Sequence, residues 1–160
     1  MRDQAWLHQL LDETWDRHFS DVPQNNIVRV LFGRRAKNRL GSIKLDSREP
    51  DISIITLNGL FRDEAIPSFV VKATLVHELS HYAHGFNSPI EQKFRHPHAG
   101  GIMREEFRER GLEQLYLDQR HWLKHNWRRV VEHNFTAGVT KSYVKPKRGI
   151  KVPRPFWFIG

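Results

Sequence analysis

Cysteine is absent from the 160 residues, which removes disulfides, thiolate metal sites, a cysteine nucleophile and every zinc finger or ribbon. Any metal must therefore be held by His, Asp or Glu. Long apolar runs are missing too: no window approaches the 18 consecutive apolar residues that span a bilayer, and Met1-Arg2-Asp3-Gln4 leads into a polar-punctuated pattern rather than a signal sequence. The expected setting is the cytoplasm, with no membrane partner. Acidic residues are scarce, 18 against 26 Lys plus Arg, for a net charge of +8.

What remains is enough for one folded domain. Hydrophobic residues make up 39%, and five Trp, three Tyr and ten Phe supply much of the bulk of a core. The charge is uneven. From His133 to Gly160 there is no acidic residue, while Lys141, Lys145, Lys147, Arg148, Lys151 and Arg154 carry six positive charges. Residues 1–135 read as the folded domain and 136–160 as a basic, aromatic tail. Two readings of that tail stand side by side: contact with the phosphates of DNA, which would also place the protein at the nucleoid, and a solvated end.

The periodicity predicts an α+β fold. Trp6, Leu7, Leu10, Leu11 and Trp15 form one stripe of a first helix, with Asp3 near its start. Residues 27–32, 40–45 and 52–57 are three β-rich runs separated by turn material, expected to pair as a small antiparallel sheet. A second helix starts at Pro67 and ends before Gly85, its face apolar at first and histidine-rich at its end. Residues 86–100 are loop chemistry, and helical patterns follow over 102–110 and 112–133.

His77-Glu78-Leu79-Ser80-His81 is an H-E-x-x-H motif inside that second helix. Positions i and i+4 differ by about 40° in direction and one turn in height, so two imidazoles converge on one ion, while Glu78 lies about 100° away, within reach of a water at the metal. With ten His and ten Glu in the chain, chance predicts roughly 0.04 such motifs. A zinc ion needs a third protein ligand. His84 shares the face but sits two turns along the same straight helix, which suits a supporting role or solvent. His96, His98, Glu105 and Glu106 are the candidates from the following segment.

Residues 40–110 resemble the SprT-like zinc metallopeptidases, a family that includes the DNA–protein crosslink protease Spartan. Leu40-Gly41-Ser42 and Ile55-Thr56-Leu57-Asn58 are similar to the strand pair before the family's active-site helix, and Thr74 to His81 to the helix itself. The family's third ligand is a His in a Pro-His-Gly or Gly-His-Gly step before a short aromatic-bearing helix, and Pro97-His98-Ala99-Gly100 is the nearest equivalent. The resemblance implies Zn²⁺ on His77, His81 and His98, with Glu78 as the catalytic base of peptide-bond hydrolysis. Ala99 interrupts the step and Phe107 comes late, which keeps His96 as the alternative. The zinc ribbon that follows the core in many relatives has no counterpart in a chain without Cys.

Rival readings use other residues. A two-His, one-Glu peptidase acting on a specific regulator would take Glu105 or Glu106 in place of His98. A non-catalytic nucleic-acid-binding protein would use Trp122, Trp127, Phe156, Trp157 and Phe158 interleaved with Arg128, Arg129, Lys151 and Arg154. At helical spacing, Trp122 and Trp127 are better placed to pack the last helix on the core. Tyr82, His84 and the unchosen loop His are candidates for a second electrophile.

Overall fold

A computed structural model describes residues 1–136; all of the expected tail beyond Thr136, with its basic and aromatic residues from Lys141 on, lies outside the described residues. The chain runs α1 (Gln4–His18), β1 (Ile27–Phe32), β2 (Gly41–Leu45), β3 (Ile52–Leu57), α2 (Ser68–Ala83), α3 (Ile102–Glu109) and α4 (Glu113–Thr136), an α+β fold. Among the described residues no helix is long and apolar enough to cross a membrane.

Helix α1 begins where Asp3 accepts a hydrogen bond from the Trp6 amide at 2.8 Å, satisfying one of the donors a helix start leaves unpaired. It buries Leu7 and Leu11. The adjacent Arg2 is buried, its guanidinium donating to the carbonyls of Phe61, Asp63 and Ile66 at 2.7–2.9 Å, which ties the N-terminus to the turn before α2. In β1, Val28, Val30 and Phe32 face inward and alternate with more exposed residues.

The sheet is mixed rather than antiparallel throughout. Its order is β1-β3-β2: β3 pairs antiparallel with β2, from Gly41 opposite Leu57 to Leu45 opposite Ser53, but parallel with β1, from Ile27 beside Ile52 to Phe32 beside Leu57. Chain direction alternates from strand to strand, so β1 and β3 point the same way. The 33–40 connection skips one position in the sheet, and β3, returning by a tight turn from β2, fills the gap between them. Alternating burial is the same for either direction, so it carries no information on which pairing forms.

Asn58, buried at the end of β3, holds that long connection in place. Its amide donates to the carbonyls of Ala36 and Arg39, both at 2.7 Å, and its oxygen accepts from the amides of Leu60 (3.0 Å) and Ala36 (3.2 Å). The connection in turn abuts α4, where the Trp127 indole donates to the Lys37 carbonyl at 2.8 Å and its ring meets Phe61. Trp127 is thus a core residue, as helical spacing implies. Helix α4 buries Gln119, Leu123, Trp127 and Val131, one residue per turn. Replacing Asn58 by Ala should lower stability by on the order of 2–4 kcal/mol, because buried backbone groups lose their partners. Chemical denaturation of the two proteins measures the difference, and an unchanged midpoint would show that the connection holds without it.

Candidate metal site

Helix α2 is buried on nearly every side. Pro67, extended at φ −58° and ψ 142°, precedes its first residue, Ser68, so the helix starts one residue beyond Pro67. Gly85, in the left-handed region at φ +82°, ends it, with the Gly85 amide on the Tyr82 carbonyl and the Phe86 amide on that of His81. Every residue from Ala73 to Ala83 is buried. The helix packs on β2 and β3 and meets α1, α3 and α4, so its histidines lie in the interior.

His77 and His81 point the same way, as their spacing requires, with Nε2 atoms 3.0 Å apart. His98, from the segment between α2 and α3, brings its own Nε2 to 3.2 Å from that of His77. These three residues form a group that could hold a metal ion. Both separations from His77 are near what a tetrahedral site requires, since ligand nitrogens at 2.0–2.1 Å from the centre are about 3.3–3.4 Å apart. Burial also keeps the imidazoles in the neutral form that binds metals. It holds His77 well below the usual range, helped by the neighbouring histidines, pushes His81 down to about 3, and lowers half-buried His98.

Glu78, the next residue of α2 after His77, is buried, and desolvation pushes its carboxyl up to about 8, with the charge of Arg39 acting in the opposite direction. Its Oε1 lies against the start of β2, where a Cβ on Gly41 would come within 2.7 Å of that oxygen and within 2.9 Å of Thr74. Any side chain at 41 would displace the carboxyl. The Leu40-Gly41-Ser42 step in the sequence therefore has a concrete spatial reason.

The other candidates go elsewhere. His96 is exposed, and Glu105 is exposed and paired with Arg108. Glu106 is buried but faces His84, its Oε2 at 2.7 Å from His84 Nε2 and its Oε1 at 2.6–2.7 Å from the Arg110 guanidinium. Burial alone would raise the Glu106 carboxyl; the hydrogen bond from His84 and the charge of Arg110 outweigh it and bring it down to about 2. His84 is fully buried rather than exposed. Tyr82 gives its hydroxyl to Asn26 at 2.8 Å and packs on Trp15.

Comparison of the chain with protein-family models, with curated proteins and with solved structures gives no match.

The buried groups make the metal-free protein sensitive to pH in opposite ways. The histidines ionise at lower pH in the folded chain than near 6.5 when unfolded, so their stabilisation is present above 6.5 and lost on acidification, through about 3 for His81. Glu78 has its folded value raised from 4.5 to about 8, so its contribution is complete below 4.5 and lost as pH rises to about 8. Between pH 6.5 and 8 the Glu78 contribution governs. Metal-free Glu78→Gln should be more stable than the wild type at pH 8, by on the order of a few kcal/mol, and should lack the wild-type decline over that interval. Thermal unfolding across pH tests this, and identical profiles would contradict a desolvated carboxyl.

Proposed function

We propose that the protein is a zinc-dependent metallopeptidase of the SprT-like kind, hydrolysing peptide bonds in proteins, with DNA-associated proteins as the expected substrates. The observation that carries this reading is the grouping of His77, His81 and His98, with the His77 Nε2 at 3.0 Å from that of His81 and 3.2 Å from that of His98, on a helix whose next residue is a buried carboxyl. A divalent metal on these nitrogens would supply a Lewis acid that polarises the scissile carbonyl and acidifies water.

The chain's own residues do the rest. Three neutral imidazoles add no charge of their own, so a bound dication keeps its full charge. Glu78 takes a proton from the attacking water and returns it to the leaving amine. That role needs the ionised carboxyl at the start of the cycle. A dication among the neighbouring imidazoles offsets the desolvation that otherwise keeps Glu78 protonated to about pH 8. The packing of Gly41 against the carboxyl limits its rotamers and thereby aims it.

The test is proteolysis of an unfolded protein such as casein, with and without a chelator. Activity should vanish on chelation and return with Zn²⁺, and Glu78→Gln should bind one zinc per chain yet turn over about 10²–10⁴-fold more slowly. Wild-type turnover in Glu78→Gln, or a wild-type protein that takes up no zinc, would refute the assignment.

One further observation favours a nucleic-acid partner. Residues 33–45 contain five cations and no acid, and residues 119–131 contain four cations and no acid. The two stretches touch through the Lys37–Trp127 hydrogen bond, and Arg34, Arg35, Lys37, Arg39, Lys124, Arg128 and Arg129 are all exposed. The first stretch runs directly into Gly41 beside Glu78, so an anionic strand lying on it would place attached protein near the site. Changing Arg34 and Arg35 together to Gln should reduce the double-logarithmic salt slope of single-strand binding by about 0.7 for each phosphate no longer neutralised. A slope unchanged in the double variant would remove this surface from the account.

A further inference from the structure

Of the three clustered histidines, His98 alone is not held by a helix. It lies near the end of the 84–101 segment, where residues 91–96 are exposed, and it is followed by Gly100 and Gly101, both in the left-handed region at φ 61° and 75°, with none of the described residues packed where their side chains would be. Both flanks of the segment that carries it close on one residue, His84.

Upstream of His98, the Lys93 amide donates to the His84 carbonyl at 2.9 Å, and the Phe94 ring meets the His84 ring edge-on with centroids 4.9 Å apart. The chain folds back so tightly that a Cβ at Gly85 would lie 2.5 Å from the Glu91 carbonyl. Downstream, α3 is docked by Glu106, whose Oε2 accepts from His84 Nε2 at 2.7 Å. Arg110 extends the anchor, donating to Glu106, to Asp21 at 2.7 Å and to the His18 carbonyl at 2.5 Å while lying 4.0 Å over the Phe19 ring. Four residues before His98 and eight after it, the chain is fastened to the same imidazole, itself three residues beyond His81.

We propose that His84 and Glu106 are positioning residues that present His98 to the metal, so that the third ligand is supplied preorganised although a loop carries it. The proposal rests on the metal-site reading above. It assigns no ligand role to His84, whose Nε2 is engaged by Glu106. Partners that orient ligands in this indirect way are typically worth 10–100-fold in metal affinity.

A double-mutant cycle read by cobalt and zinc titration distinguishes positioning from general support of the fold. His84→Ala should weaken metal binding 10–100-fold in the wild-type background but less than twofold when His98 is already Ala, because it acts only through that ligand. Its cobalt complex should lose the intense visible bands of a four-coordinate site, as that of His98→Ala does. Glu106→Gln, which preserves side-chain volume, and Phe94→Ala, at an exposed ring, should reproduce the pattern in milder form, and they carry the test if His84→Ala does not fold. Equal losses in both backgrounds would overturn the proposal while leaving the site intact. A wild-type protein that binds neither metal would overturn the site itself and the positioning role with it.

Discussion

Desolvation of α2 is the constraint on which the rest of the site depends. Thirteen of its sixteen residues are buried, among them His77, Glu78 and His81. A helix enclosed on this scale disfavours the charged form of every side chain it carries unless a partner of opposite charge is enclosed with it. For Glu78 the charge that acts in its favour is that of Arg39, which stands in solvent and does not outweigh the burial. The interior therefore contains neutral imidazoles, with their nitrogen lone pairs, and a carboxyl that stays protonated, an arrangement costly for a purely structural core. A dication held by the three imidazoles would ease both halves of the problem, taking the lone pairs and favouring the ionised carboxylate on the same helix.

The sheet serves this arrangement by where it ends. Because β3 lies between β1 and β2, strand β2 is an edge, and its first residue is the Gly41 that admits the Glu78 carboxyl. The connection that makes this order possible is long and carries many cations, so on its own it would not settle against the body of the protein. Asn58 supplies what it lacks, using both ends of one amide to pair backbone groups on two sides of the connection. The backbone of the cationic surface and that of the carboxyl's pocket are thus held by the same buried side chain.

The sequence makes local geometry legible and leaves the rest to tertiary structure. His77 and His81 can be paired from their spacing because a helix fixes i and i+4 before any packing is known. The helices and the three strands follow from periodicity for the same reason. Strand direction does not, since a period of two reads identically in parallel and antiparallel pairs. Spacing narrows the third ligand to a few candidates without singling out His98, because its position depends on how the 84–101 segment closes. His84 is the least legible. Its spacing puts it on the metal face, and only the placement of Glu106, twenty-two residues on, reveals that it binds a carboxylate instead.

These differences in legibility follow a division of labour in the site. Two of the candidate ligands, His77 and His81, come from a rigid element and would lose almost no further freedom on binding a metal. The third is seventeen residues beyond His81 along the chain, and closing a free loop of that length costs on the order of 2.5 kcal/mol on the logarithmic scale. In the folded chain that closure has already occurred, through backbone and ring contacts outside the three-histidine group: Lys93 on the His84 carbonyl, Phe94 on its ring, Glu106 on its Nε2. Their energy belongs to folding, so it need not come out of metal binding. A site built in this way would offer a metal three ligands already in place, although one of them sits in a loop rich in Pro, Gly and exposed polar residues rather than on a helix.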